Sequence, residues 1–196
     1  MTSSDRDNQE RRRFFIDAAA RIVKPAADYI ERRVKLPPVR THLRPPGAIG
    51  EADFLDTCTR CGACADACKA KAILRFSGVD DCGRSGTPVI DPDLAACIVC
   101  DELACIANCP SSALAPIGNP GDVRMGLAEV YASLCVRTRG VECEVCVEKC
   151  PFGEVAIRVE EAGPPEVQSP GCVGCGLCQY HCPTTPKAIT VKPVNL

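Results

Sequence analysis

The sequence predicts an α+β protein of two small tandem units, preceded by an amphipathic helix. Three observations predict this: 17 cysteines fall almost entirely into four groups, short strand candidates flank the groups, and material for an apolar core is scarce. The chain of 196 residues has no tryptophan and only 4% aromatic residues. Disulfides, single metal ions and iron–sulfur clusters are the supports that cysteine-rich folds use, and cysteine spacing distinguishes among them.

Residues 1–50 are predicted to form a helix and a tether outside the folded body. Apolar residues recur at helical spacing from Arg11 to Val34, with charges on the other face, which is typical of an amphipathic helix. Between Lys35 and Gly50 the prolines favour an extended, polyproline-like tether. We therefore expect a domain boundary near residue 50.

The amphipathic helix has two interpretations, and they place the protein in different compartments. Residues 12–16 read Arg-Arg-Phe-Phe-Ile, the twin-arginine form that directs folded proteins across the bacterial inner membrane. Charges at Asp17, Arg21 and Lys24 then interrupt the apolar stretch, which favours docking on a partner or a membrane surface. We expect a cytoplasmic location or peripheral attachment to the inner membrane; the alternative is a periplasmic protein with a degenerate twin-arginine leader.

Charge argues against a nucleic-acid partner, and hydropathy argues against a membrane-spanning segment. Residues 1–50 contain 11 Lys and Arg against 6 Asp and Glu, whereas the remainder contains 12 against 19. The cysteine-rich part is therefore acidic, and bound clusters would add negative charge, so nucleic acid is not expected as a partner. No apolar run approaches the roughly 20 residues that span a bilayer.

The first and last cysteine groups share one spacing, in which two gaps of two residues precede a gap of three. It is the spacing of bacterial two-cluster ferredoxins, whose fourth cysteine binds the other cluster of the pair. The two groups are Cys58, Cys61, Cys64 and Cys68, and Cys172, Cys175, Cys178 and Cys182. This pattern predicts 4Fe-4S clusters.

Two variants of the same pattern lie between them. One has a two-residue insertion and the other has its first cysteine displaced upstream, yet both end in x3-Cys-Pro. Their members are Cys97, Cys100, Cys105 and Cys109, and Cys135, Cys143, Cys146 and Cys150. The four groups account for all cysteines except Cys82, so we predict four 4Fe-4S clusters and no ligand role for Cys82.

Zinc and disulfides explain the spacing less well. Zinc ribbons use two separated CxxC pairs rather than three cysteines within seven residues. Cysteines so close in sequence rarely bridge each other, and no standard secretory signal is evident.

Strand candidates flank the cysteine groups, so each loop is expected to lead into a hairpin. A short helix is expected after each fourth cysteine. The candidates are residues 72–76 and 88–90, 114–117 and 127–131, and 155–160 and 188–194. Together they predict the α+β arrangement of two-cluster ferredoxins used twice, with the first two cysteine groups in residues 51–120 and the last two in 121–196.

Residues 53–194 resemble the polyferredoxins of the NapG/MauM type, accessory proteins of periplasmic nitrate reduction and methylamine utilisation. The resemblance is carried by the order of the four cysteine groups and by three short motifs. These are Gly86-Thr87-Pro88, the residues Cys109 to Leu114, and Met125-Gly126-Leu127-Ala128 ahead of the displaced Cys135. The chain departs from the family in its interrupted leader and in Lys69, which replaces the proline that usually follows a fourth cysteine.

The resemblance implies an electron carrier, or an electron-transfer subunit of an oxidoreductase complex, without substrate chemistry of its own. It would take electrons from a quinol dehydrogenase-like donor or another donor. It would pass them to a terminal reductase or another redox acceptor.

Which groups share clusters is left open by the sequence. In sequential pairing, the first group exchanges its fourth cysteine with the second group, and the third group with the fourth. In nested pairing, the first group would exchange with the fourth and the second with the third. The sixteen predicted ligands are the same in both.

The sequence bears on two other classes of function. A catalytic iron–sulfur enzyme would keep an iron site open for substrate, yet all four groups are complete, and His42 and His181 are the only histidines. An assembly factor, or a structural iron–sulfur subunit of a larger oxidoreductase, remains compatible with the sequence. Lys69 and His181 could tune nearby clusters, but solvated surface positions are the simpler interpretation.

Overall fold

The computed structural model describes residues 38–78 and 83–195. The predicted amphipathic helix, the twin-arginine segment and Cys82 lie outside these ranges. Residues Pro38–Leu196 cluster as one compact unit. Within the described ranges, no helix is long and apolar enough to cross a membrane.

Helices in the described residues are short, and four of the five contain a cysteine. They are α1 (Glu51–Thr57), α2 (Ala63–Asp66), α3 (Ala104–Ala107), α4 (Val145–Glu148) and α5 (Leu177–His181). Single 3-10 turns occur at Pro120–Asp122, Val136–Arg139 and Gly153–Val155. Helices α2 to α5 each carry the third cysteine of a group, so the expected position after the fourth cysteine was wrong.

Six strands form three antiparallel pairs in the described residues. They are β1 (Ile73–Arg75), β2 (Pro88–Ile90), β3 (Gly126–Val130), β4 (Ile157–Arg158), β5 (Glu166–Val167) and β6 (Ile189–Pro193). The pairs are β1 with β2, β3 with β6, and β4 with β5. The mixed helix and strand content predicted from the sequence is confirmed.

The pairing differs from the expected hairpins in two places. Strand β3 pairs along its whole length with the distant β6, from Gly126 opposite Pro193 to Val130 opposite Ile189. Strand β4 pairs with the two-residue β5, which the sequence did not indicate. Only the β1–β2 hairpin, with Ile73 opposite Ile90, follows the expectation.

The same order of elements occurs twice along the chain. In the second occurrence, β3 and β6 enclose one cysteine group, the β4–β5 hairpin and another cysteine group. In the first, an isolated bridge between Ala48 and Leu114 encloses the equivalent sequence around the β1–β2 hairpin.

Residues 40–48 pack into the body instead of forming the extended tether predicted from the prolines. Pro45 and Pro46 are fully buried, and Leu43 is bridged to Ile90. The reason is a buried charge network, since Arg44 is 0% exposed and pairs with Glu51 of α1 at 2.6 Å. The compact body therefore begins before residue 50.

The Arg44 side chain connects three separate segments. Its Nη1 donates to Thr87 Oγ1 at 2.8 Å and to the Pro88 carbonyl at 2.9 Å, at the start of β2. Its guanidinium lies over the Phe54 ring, 4.7 Å from the centroid, a cation–π geometry. Arg40 lies beside the same carboxylate, with its Nε 3.4 Å from Glu51 Oε2.

Candidate metal centres

The sixteen grouped cysteines line four separate cavities, with four cysteines at each. The four cavities are similar in size, each with 370 to 420 Å³ of space free of protein atoms, part of which is open to solvent. The sets are Cys58, Cys61, Cys64 and Cys109 at cavity 1; Cys68, Cys97, Cys100 and Cys105 at cavity 2; Cys135, Cys143, Cys146 and Cys182 at cavity 3; and Cys150, Cys172, Cys175 and Cys178 at cavity 4. The structure thus groups the cysteines as sequential pairing does, not as nested pairing does.

The cysteine sets suit a cluster because they supply thiols alone around an enclosed space. A 4Fe-4S cluster is a cube of alternating iron and sulfide, and each of its four irons binds one cysteine thiolate. All sixteen cysteines are free thiols. In the described ranges, no group of three or more His, Cys, Asp or Glu is arranged to hold a single metal ion.

The helix ends explain why one motif serves two cavities. Helix α2 carries Cys64, which lines cavity 1, and ends at Asp66. Because the chain leaves the helix there, Cys68 does not share the helical face of Cys64 and lines cavity 2 instead. Helix α3 does the converse, with Cys105 at cavity 2 and Cys109 at cavity 1.

The loops between the first and third cysteines have a repeated left-handed backbone. Gly62 and Gly176, each directly after a second cysteine, have φ of +87° and +86°. In the second group Leu103 takes the equivalent position before its helix, with φ of +40°. Val99 also has positive φ, at +47°, which is rare for a β-branched residue and marks stored strain of the kind found at functional sites.

Backbone amides and hydroxyls already point at several of the sulfurs. Val99 N–H donates to Cys97 Sγ at 3.4 Å, and Ala72 N–H donates to Cys68 Sγ at the same distance. Both of these sulfurs line cavity 2. Such N–H groups stabilise thiolates bound to iron.

Two fourth cysteines have an additional hydroxyl neighbour. Thr184 Oγ1 lies 3.2 Å from Cys182 Sγ at cavity 3, and Ser111 Oγ lies 3.7 Å from Cys109 Sγ at cavity 1. Burial alone would raise the pKa of Cys182, but hydrogen bonds from Thr184 and from the backbone of Ala188 and Ile189 together lower that pKa. At Cys109 burial is likewise opposed by hydrogen bonds, which lower its pKa, so both sulfurs lose a proton more easily than they would without these partners.

Most of the deeper thiols have the opposite tendency. Burial raises the pKa of Cys97 and of Cys105 to about 12, and of Cys64, Cys146 and Cys175 to about 11. Neighbouring cysteines of the same cavity add to the effect at each of these thiols. A cationic iron core would remove this penalty, because it supplies the positive charge that a buried thiolate requires.

The other residues singled out in the sequence lie at the margins. Lys69 is exposed beside cavity 2 and forms an ion pair with the exposed Glu102. His181 is exposed, and its ring lies edge-on to Tyr180 with centroids 5.0 Å apart. His42 lies against Phe76, with ring centroids 4.7 Å apart, far in sequence from any cysteine.

Comparisons with known proteins agree with this geometry. Residues 54–74 match the 4Fe-4S binding domain family. The methylamine utilization ferredoxin-type protein MauM of Methylobacillus flagellatus is 37% identical over 170 residues, covering 81% of this chain and 71% of that protein. The ferredoxin-type protein NapG of Escherichia coli K12 is 34% identical over 211 residues, covering 100% of this chain and 91% of that protein. No solved structure matches.

Proposed function

Because the chain belongs to the MauM and NapG family of ferredoxin-type proteins, we propose that it binds four 4Fe-4S clusters and relays electrons between redox partners. The ligands are the sixteen cysteines of the four cavities. The chain is a carrier without a substrate site of its own, folded as two tandem ferredoxin-like units whose cysteine groups lie within residues 51–120 and 121–196; residues 40–48 pack onto the first of these units. The single observation that carries the proposal is the division of sixteen thiols into four cavities of four.

In this proposal the clusters supply one-electron chemistry, since each accepts and releases a single electron. The protein holds each cluster at fixed geometry and limits the contact of its sulfurs with water. Cys64, Cys105, Cys175 and Cys178 are buried, whereas Cys61 is exposed and brings one edge of cavity 1 to the surface. Buried ligands keep the rearrangement of solvent around a cluster small when it gains or loses an electron. An exposed edge gives a redox partner access to the cluster.

The partners we propose are redox proteins: a quinol dehydrogenase-like or other donor, and a terminal reductase or other acceptor. We further propose that residues 11–34 attach the protein to a partner or to the inner membrane surface from the cytoplasmic side. Cell fractionation tests the location, with and without substitution of Arg12 and Arg13 by lysine. Release of mature protein into the periplasm that depends on these arginines would replace cytoplasmic attachment with export.

Iron and sulfide analysis of anaerobically purified protein is the first test. Four clusters correspond to about 16 irons and about 16 acid-labile sulfides per chain. The Cys82→Ser variant is the matched control and should keep the full iron content, because Cys82 belongs to none of the four groups. Zinc without labile sulfide in the native protein would overturn the proposal.

A redox titration distinguishes a relay from an assembly factor or a structural iron–sulfur subunit. A relay requires clusters that are reduced and reoxidised reversibly, at potentials between those of donor and acceptor. EPR spectra recorded during the titration should show reduced 4Fe-4S centres that interact magnetically. Clusters that cannot be reduced without loss of iron would instead favour a structural role.

A further inference from the structure

The four cavities are connected in an order that differs from their order in the sequence. Cavities 1 and 2 are adjacent because α2 and α3 pack together, and because the fourth cysteine of each group lines the cavity of the other group. Cavities 3 and 4 are joined in the same way by α4 and α5. The contact between these two pairs of cavities determines the order in which an electron would pass all four.

That connection is a hydrogen bond between two cysteines of different pairs. The N–H of Cys97, at cavity 2, donates to the carbonyl of Cys175, at cavity 4, at 3.0 Å. The two sulfurs are thus linked by the covalent bonds of two cysteine residues and one hydrogen bond.

Close backbone packing surrounds this hydrogen bond. A Cβ atom on Gly176 would lie 2.7 Å from Pro92 Cγ, so the approach of the two segments requires glycine there. Beside it, buried Gln179 donates to Asp93 Oδ1 at 2.9 Å and accepts from the Val191 N–H at 2.8 Å. The contact is therefore tight and hydrogen-bonded, with Cys175, Gly176 and Gln179 buried and Asp93 at its exposed edge.

From these contacts we infer that the clusters form one chain in the order cavity 1, cavity 2, cavity 4, cavity 3. The inference rests on the proposed function, because it requires all four clusters. Bound by the sixteen cysteines, neighbouring clusters would exchange one electron at a time, one being oxidised and the next reduced, with no bond made or broken. The terminal clusters are those of cavities 1 and 3, so the donor and the acceptor dock at these two.

Removing single clusters tests this order. In Cys172→Ala the cavity 4 cluster should be lost, leaving the cavity 3 cluster magnetically isolated beside a coupled pair. In Cys143→Ala the cavity 3 cluster should be lost, leaving three clusters coupled in a row. Both substituted cysteines are partly exposed, which limits damage to the core.

EPR spectra of the fully reduced variants separate the possible orders. We expect an isolated-centre signal in Cys172→Ala and none in Cys143→Ala. An isolated-centre signal in Cys143→Ala alone would indicate the order 1, 2, 3, 4. An isolated-centre signal in neither variant would place the cavity 3 cluster next to a cluster other than that of cavity 4. Either result would overturn the inference. Each variant should retain about 12 irons, whereas absence of iron from the native protein would defeat the proposed function itself.

A second pair of variants tests the connection without removing any ligand. Gly176→Ala and Gly62→Ala place the same strain at equivalent loop positions, since their φ values are +86° and +87°. At Gly62 the three atoms nearest to the new methyl group all belong to the guanidinium of Arg75, the far end of a flexible side chain. We expect weaker coupling between the cavity 2 and cavity 4 clusters in Gly176→Ala alone; equal coupling in both variants would overturn the inference.

Discussion

Residues 48–114 and residues 126–193 repeat one order of elements, yet they are closed by different physical means. The second segment ends in a five-residue antiparallel ladder between β3 and β6. The first has only the bridge of Ala48 with Leu114, beside the buried ion pair of Arg44 with Glu51. A backbone ladder distributes its stabilisation over several hydrogen bonds, whereas a buried ion pair concentrates it in one carboxylate.

The comparison teaches that the two segments should fail in different ways. A single substitution can remove the network that closes the first segment. The ladder of the second segment is weakened only where the strands are forced apart. Two predictions test how the segments are closed. Two more compare individual contacts within them.

The largest effect is expected for Glu51→Ala. Glu51 faces Arg44 and Arg40, both at most 3% exposed, and removing one partner of a buried ion pair typically costs about 3–5 kcal/mol. Anaerobic urea unfolding of the cluster-loaded protein, followed by visible absorbance, measures this as a lower midpoint. The clusters of cavities 1 and 2 should be lost first, so that their share of the visible absorbance disappears before the rest. An unchanged midpoint would show that the network contributes little.

A smaller effect is expected for Gly126→Ala in β3. A Cβ atom there would meet the Lys192 carbonyl and lie 2.7 Å from Leu43 Cδ2, so the strands must separate, at a cost of about 1–3 kcal/mol. Gly118→Ala is the matched control, because nothing lies within 4 Å of its Cβ position. Urea midpoints of the two variants are compared, and equal midpoints would contradict the importance of close β3–β6 contact.

A redox effect is expected at the hydroxyls beside the two fourth cysteines. Thr184→Val removes a donor 3.2 Å from Cys182 Sγ, which disfavours the more negative reduced cluster and lowers its potential. The drop should be roughly 40 mV if the hydrogen bond is worth about 1 kcal/mol more in the reduced state.

Two controls accompany this redox prediction. Thr184→Ser keeps the hydroxyl and should restore the potential. Ser111→Ala should shift the cavity 1 potential less, because its oxygen is 3.7 Å from Cys109 Sγ. A potentiometric EPR titration measures all three, and a larger shift for Ser111→Ala would contradict the ranking.

The smallest effect is expected for Glu102→Gln. The ion pair of Lys69 with Glu102 is exposed, with side chains 59% and 64% accessible, and exposed pairs are screened by water and salt. The urea midpoint should not change measurably. A clear decrease would show that this pair supports the loop at cavity 2.

The sequence predicted the cysteine groups and most strand positions because both depend on local spacing. Cysteines at fixed intervals and runs such as Ile189–Pro193 are visible without any partner. The pairing of β3 with β6 was missed because its partners are separated by some sixty residues and no local signal joins them. The two-residue β5 is too short to show the alternation of apolar and polar residues that indicates a strand.

The burial of residues 40–48 was missed for a different reason. Prolines favour extended chain, and that local preference was read as a tether. An arginine seven residues from a glutamate resembles two ordinary surface charges. Only the tertiary contacts of Arg44 with Thr87 and Pro88 show that the pair is buried.

The exchange of fourth cysteines also sets a timetable for biosynthesis. Under the proposed loading, cavity 1 lacks a ligand until Cys109 has left the ribosome, and cavity 3 lacks one until Cys182 has. Translation proceeds at about 5–20 residues per second, so the first two clusters can be completed seconds before the last two. Cavity 1 waits from Cys64 to Cys109 for its fourth ligand, a longer stretch of chain than the one from Cys146 to Cys182 at cavity 3. An incompletely ligated cluster would therefore be exposed to oxygen for longer in the early half of the molecule.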